Sequence, residues 1–245
     1  MVDTIVWITG ASSGLGAALA ASVPFPGARV VDISRSGGTD ATEHFPADLA
    51  DPVAWSAVEA HLLARMSEFS GTRAVFVHNA GTLDPIGFAG EVDSAAYRRN
   101  VLLNSAAGQC LGHAFLHAVT ASGFAGEALL VMVSSGAAST PYAGWSAYSA
   151  GKAALDQWVR AVGAEQLQRD NGATVLAIAP GVIATAMQAQ IRATDSQDFP
   201  SVERFRALHA EGQLMAPDRA ARAVWNAATG GAASGSVLDV RDAAG

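Results

Sequence analysis

The stretch Thr9-Gly10-Ala11-Ser12-Ser13-Gly14-Leu15-Gly16 decides how the rest of this chain is read. It follows an apolar run, Ile5 to Thr9, and leads into an Ala-rich segment, so it reads as the turn between a strand and a helix. Glycines at 10, 14 and 16 give a GxxxGxG spacing rather than the commoner GxGxxG. Both spacings meet the same demands: a tight turn, a backbone that an anion can approach, and a helix N-terminus whose free N–H groups face a pyrophosphate. Taken alone, a Gly-rich turn is equally well a bare loop, and its place between strand and helix favours the anion. No Gly-Lys-Ser/Thr follows, which argues against a nucleoside triphosphatase loop.

Working outward, short β-branched runs alternate with longer helical stretches. Ile5–Thr9, Arg29–Ser34, Ala74–His78, Leu129–Ser134, Thr174–Ala179 and Val237–Val240 read as strands, most of them nearly continuous apolar runs. Such runs suit parallel strands covered on both faces. Segments 14–22, 52–69, 93–121, 146–169 and 217–229 are long enough for crossover helices. This alternation predicts an α/β fold: a Rossmann-like, doubly wound parallel sheet with helices on both faces, in one domain spanning 1–245. Residues 184–216 break the rhythm with more chain than a connection needs, and predict a lid-like helical insertion beyond the carboxyl ends of the strands.

Composition narrows the function classes. The chain has 245 residues, 50% hydrophobic and 15% charged, with 15 basic and 22 acidic side chains and a net charge of −7. That is too apolar for a disordered chain and too acidic for a nucleic-acid binder. The single cysteine, Cys110, forbids an intrachain disulfide and favours a reducing compartment. The first ten residues have no basic, apolar leader pattern, and no run approaches about 18 apolar residues. A cytoplasmic protein without a membrane partner is expected.

The second chemical signal is Tyr148-Ser149-Ala150-Gly151-Lys152, where a phenol and an ammonium share one helix face. Alone, this spacing is common and reads first as a surface pair. Ser135, 13 residues upstream at the end of an apolar strand, converges on the same carboxyl-edge crevice. A hydroxyl, a phenol and an ammonium gathered there can polarise a carbonyl and deliver a proton.

With these residues in view, the chain resembles the classical short-chain dehydrogenase/reductase family. Thr9 to Gly16, Asn79-Ala80-Gly81, Asn104, Ser135, Tyr148 with Lys152, and Pro180-Gly181 through Thr185 match its motifs in order and spacing over essentially the whole chain. Gly144 to Ala154, Ala179 to Gln188 and Gly212-Gln213-Leu214 look like its sepiapterin reductase branch, which includes bacterial benzil reductases. The resemblance implies an NAD(P)-dependent oxidoreductase acting on alcohol or carbonyl groups. Tyr148 would be the general acid, with its pKa lowered by Lys152 and the oxidised nicotinamide. Ser135 would hold the substrate oxygen, and Lys152 the nicotinamide ribose. Asn104 would continue a proton relay, with Asn100 one turn earlier as the competing assignment, and Ser134 would be structural.

The same resemblance assigns the cofactor cradle to Gly10, Ser12, Ser13, Gly14, Leu15, Gly16, Asn79, Ala80, Gly81, Pro180, Gly181, Ile183 and Thr185, together with Tyr148 and Lys152. His78 departs from the asparagine common before Asn79 in that family. Counting from Gly27-Ala28, the second strand ends at Ser34 with Arg35 next, which favours NADP(H). A shorter strand would put Asp32 at the ribose and leave NAD(H). Asp48 matches the adenine-side acid, with a helix cap as its other reading, although Asp51 is better placed to cap.

On the substrate side, Trp145, Met187, Leu214 and Met215 are candidate walls of an aromatic pocket. Asp239 falls where sepiapterin reductases hold the pterin. The expected function is NADPH-dependent reduction of one carbonyl of an aromatic or vicinal dicarbonyl. The alternatives are a secondary alcohol dehydrogenase and a non-enzymatic dinucleotide sensor. His113 and His117 share the i, i+4 spacing of metal ligands but lack a third ligand, so no metal is expected. The helical segments 93–121 and 146–169 are where this family commonly dimerises, implying a homodimer or homotetramer.

Overall fold

The computed structural model describes residues 2–38 and 43–242. One seven-stranded sheet takes strands from both ends of the chain: β1 Thr4–Thr9, β2 Arg29–Ser34, β3 Glu43–Pro46, β4 Arg73–His78, β5 Glu127–Val133, β6 Thr174–Ala179 and β7 Val237–Asp239. Their order is β3-β2-β1-β4-β5-β6-β7, and every pairing is parallel. The chain winds outward from β1 in both directions, so the crevice between the carboxyl ends of β1 and β4 is the topological switch point.

The strands are apolar on both faces because helices cover both. Ile5, Trp7, Val31, Phe76 and Leu130 point to one side, under α2 (Pro52–Glu68) and α4 (Ala107–Ala121). Val6, Ile8, Val75, Val131 and Leu176 point to the other, under α1 (Gly14–Ala21) and α8 (Pro217–Thr229). This is the period-two alternation of a strand, with both phases buried.

Two elements differ from the sequence reading. The edge strand β3 was not expected: Glu43-His44-Phe45-Pro46 has no apolar run and ends in proline. It forms because β2 offers it an open edge, and Glu43 pairs with Arg29 and Arg65 at 3.3 and 2.7 Å. The expected helix 93–121 is α3 (Ser94–Val101) and α4 joined by a π-helical turn over Leu102–Ala106, with Asn104 buried inside that turn. Wide turns of this type leave the regular i→i−4 ladder and recur at functional sites.

Within the insertion, α6 (Ala186–Ala193) and α7 (Val202–Ala210) share a core of their own. Ile191, Phe199, Val202 and Phe205 pack against Trp145 and Tyr148 of the helix α5 (Ser146–Gln166) region. Phe199 is fully buried and stacks on Trp145 with ring centres 4.5 Å apart. The insertion is therefore a cap anchored by aromatic packing.

Candidate active site

At the carboxyl edge of the sheet lies a cleft of about 670 Å³ that runs from the β1–α1 turn to the cap. Gly10, Ser12, Ser13, Gly14, Leu15 and Gly16 form its floor at one end. Gly10 and Gly14 have positive φ, 69° and 54°. Gly16 is needed for a different reason: a Cβ there would stand 2.1 Å from the Gly10 carbonyl oxygen. Asn79 braces this turn, donating its side-chain N–H to the carbonyls of Thr9 and Gly10 at 3.1 and 3.3 Å. The backbone N–H groups of Asn79 and Ala80 in turn donate to the Thr9 hydroxyl.

The carboxylates of Asp51 and Asp93 cap α2 and α3, accepting from the backbone N–H groups of Val53 and Ala96. Ser13, at the start of α1, makes no side-chain cap, so the first N–H groups of α1 face the cleft without a protein acceptor from that side chain. Such a terminus suits an anion. These features, a backbone cradle shaped by Gly16 and an uncapped helix start, fit the pyrophosphate of a dinucleotide.

The second strand runs to Ser34. Asp32 is fully buried, accepting from the Ala11 N–H at 3.0 Å and the Ser34 hydroxyl at 2.8 Å. Its carboxylate braces the glycine turn and does not line the cleft, whereas Ser34 and Arg35 do. Asp48 also lines it, bonded to Arg99 at 3.0 Å and to the Ala50 N–H at 3.1 Å. Burial pulls the Asp48 pKa upward, but these two donors outweigh it and hold the carboxyl below its usual range.

At the other end, Ser135, Tyr148 and Lys152 all line the cleft. Burial pushes the Tyr148 phenol above its usual pKa, and the Ser135 hydroxyl partly offsets this. The sequence expectation of a lowered value is thus reversed in the protein alone. Lys152 makes no hydrogen bond to the phenolic oxygen: its Nζ donates to the Val133 carbonyl at 2.7 Å and lies 5.9 Å from the Tyr148 ring centre. Burial brings the Lys152 pKa down to about 8, against an upward pull from Asp156.

Asn104 lies beneath the cleft without lining it. Its side chain accepts from the Thr82 N–H and donates to the Thr82 carbonyl and to Asn100 Oδ1. Gly151 permits this placement: a Cβ on it would lie 2.9 Å from the Asn104 Cβ, so α5 can rest on the π turn beside Lys152. Asn100 donates to the same Thr82 carbonyl and to that of Asp84, acting as a brace. Ser134 donates to Asp156 at 2.5 Å, both buried. Asp156 is a functional neighbour that sequence reading missed. Its spacing, one helical turn beyond Lys152 and two beyond Tyr148, was the available signal.

The remaining cofactor candidates, Gly81, Pro180, Gly181, Ile183 and Thr185, line the middle of the cleft. On the substrate side Trp145 and Met187 line it as expected, with Tyr142 and Phe205, which were not singled out. Leu214 and Met215 do not; Met215 instead forms a backbone bridge to Ile183 and packs on the sheet. Asp239 also does not line the cleft. Both of its oxygens bind Arg241, at 2.9 and 2.5 Å, and this guanidinium holds its carboxyl below the usual range. A substrate-holding role for Asp239 is therefore corrected: it is already engaged, and Arg241 is the member of the pair that borders the cleft. His113 and His117 are exposed, parallel rings 6.4 Å apart on α4. No group of three or more potential metal ligands occurs among the described residues, and no helix there is long and apolar enough to cross a membrane.

The chain is similar to known proteins. Residues 4–196 match the short chain dehydrogenase family. A benzil reductase ((S)-benzoin forming) of Bacillus subtilis is 32% identical over 238 residues, covering 96% of this chain and 97% of that protein. A sepiapterin reductase of Rattus norvegicus is 34% identical over a shorter stretch of 145 residues, 58% of this chain and 53% of that protein. Among solved structures, a short chain dehydrogenase/reductase from Saccharomyces cerevisiae superposes with a TM-score of 0.82 at 24% identity, covering 98% and 97% of the two chains.

Proposed function

The chain belongs to the short chain dehydrogenase family of NAD(P)-dependent oxidoreductases acting on alcohol or carbonyl groups, and we propose that it is an NADPH-dependent reductase of aromatic or vicinal dicarbonyls. The observation that carries this reading is the continuity of the cleft: Ser135 and Tyr148 open directly onto a chamber walled by Trp145, Tyr142 and Phe205. A flat aromatic ketone fits such walls, and the long match to a benzil reductase points the same way.

Bound NADPH would supply the hydride to the carbonyl carbon. The residues do the rest. Gly10 to Gly16 and the start of α1 hold the pyrophosphate. Arg35, exposed at the cleft and without a carboxylate partner among the described residues, receives the 2′-phosphate. Asp32 is turned inward, so it does not repel that phosphate. Asp48 serves the adenine side, held in place by Arg99.

Ser135 donates to the substrate oxygen as negative charge develops on it, and Tyr148 gives that oxygen its proton. The raised phenol pKa keeps Tyr148 protonated at neutral pH, the form that reduction needs. Lys152 spends one N–H on Val133 and has two more for ribose hydroxyls. Asn104 carries a water-mediated relay to Lys152. The exposed faces of α4 and α5 take a second copy of the chain, and the protein works in the cytoplasm.

The test is the loss of 340 nm absorbance with benzil and NADPH, then NADH. Tyr148→Phe should lower kcat by roughly 10²–10⁴ while NADPH still binds. Turnover only with NADH would refute the cofactor assignment. NADPH binding without turnover of benzil or other aromatic dicarbonyls would refute the substrate class.

A further inference from the structure

Four arginines line the cleft: Arg35, Arg99, Arg204 and Arg241. Two are neutralised, Arg99 by Asp48 and Arg241 by Asp239. Among the described residues, no carboxylate pairs with the other two. One of these, Arg35, sits at the adenosine end, where the reading above gives it a phosphate. The other, Arg204, sits on the cap helix α7 at the opposite end, and nothing so far accounts for its charge.

We propose that Arg204 is an anion-recognition residue, and that the preferred substrates are aromatic carbonyl compounds carrying a carboxylate remote from the reacting carbonyl. This rests on the reductase reading and adds the chemistry of the substrate's far end. Arg204 Nη1 donates to the Tyr142 hydroxyl at 2.9 Å, and its guanidinium carbon lies 5.9 Å from that ring's centre. The bond to Tyr142 fixes the guanidinium by one corner and leaves the Nε–Nη2 edge free, the edge that takes a carboxylate with two parallel hydrogen bonds.

Aromatic rings connect Arg204 to the chemistry. Tyr148 meets Trp145 with centres 5.7 Å apart, and Trp145 meets Tyr142 at 5.0 Å. An aromatic wall thus joins Tyr148 to the Tyr142–Arg204 pair, and an aromatic substrate lying along it would bring a charge at its far end to Arg204. Arg206, on the same helix, shows what a purely structural arginine looks like here: Glu203 holds it, and it donates to the Arg192 and Thr194 carbonyls.

The experiment is calorimetric titration of the NADPH-loaded protein with biphenyl-4-carboxylate and with biphenyl-4-carboxamide, a neutral counterpart, neither of which has a ketone to reduce. The wild-type protein should bind the carboxylate about tenfold more tightly. In Arg204→Gln the ratio should fall to about one. Arg204→Lys, which keeps the charge but not the fork, should fall between them. Added salt should shrink the wild-type ratio.

A wild-type ratio near one, a ratio unchanged in Arg204→Gln, or binding of neither compound would overturn the proposal. Benzil turnover, measured alongside, separates the two readings. A charge-dependent ratio without benzil reduction leaves the anion site standing and removes the proposed substrate class. Benzil reduction with a ratio of one does the reverse.

Discussion

Lys152 holds an ammonium in a place that disfavours one, so removing it should stabilise the fold while destroying the activity. Burial lowers its pKa from 10.5 to about 8, and at about 1.4 kcal/mol per unit this corresponds to roughly 3 kcal/mol against the charged native form. The group is 3% exposed, so solvent screening takes little of that away. Lys152→Met keeps the length and apolar character of the side chain but leaves the Val133 carbonyl without its donor, which takes back about 1 kcal/mol. The net expectation at pH 7 is a gain of about 2 kcal/mol, or roughly 4–8 °C in Tm for a chain of this size.

The pH dependence makes the test sharper. Below pH about 8, Lys152 is protonated in both the folded and the unfolded chain, and the whole penalty is present. Between about 8 and 10.5 the unfolded chain binds a proton that the native chain does not, so wild-type stability rises with pH. Above 10.5 the penalty is gone, and the missing hydrogen bond leaves the variant slightly weaker. Urea unfolding of both proteins at equal concentration, at pH 7, 9 and 10.5, should show the advantage of Lys152→Met shrink and then reverse. A variant less stable than wild type at pH 7, or a difference that ignores pH, would show that burial does not burden this lysine.

Two further predictions address the cleft's other charges. Arg35→Ser should raise KM for NADPH about tenfold or more while changing KM for NADH less than twofold, as read from initial rates with each cofactor. Ser134→Ala should cost about 1–3 kcal/mol in urea unfolding, because it leaves the buried Asp156 carboxylate without its 2.5 Å donor. Burial already raises the Asp156 pKa, so this loss should shrink as pH falls from 7 into the acid range, where the carboxyl takes up its proton.

The parts of the site that could be read from sequence were those fixed by backbone geometry or by helical spacing. The glycines of the β1–α1 turn had to be glycines, two for positive φ and Gly16 because nothing larger clears the Gly10 carbonyl. Tyr148 and Lys152 had to share a face. Asp156 was within reach of the same rule, and its burial with Ser134 is what the spacing alone did not say. The edge strand β3 was hidden for a physical reason: a four-residue strand held from one side needs no apolar pattern, so it left none.

The substrate end was much less legible, because its properties depend on which opposite charges meet. Asp239 and Arg241 stand two residues apart, and nothing in that spacing tells whether the acid faces a ligand or its neighbour; the structure pairs them. Arg204 is 56 residues from Tyr148 in the chain, and only the docking of the cap through Phe199 and Phe205 onto Trp145 brings it to the same cleft. Pairing within the fold consumes Arg99, Arg241 and Asp239, and it leaves a guanidinium at each end of the cleft with the Lys152 ammonium between them. The charges left after pairing, more than the charges present, decide which ligands such a cleft selects. On the proposed reading, they would select a phosphate near Arg35 and a carboxylate near Arg204.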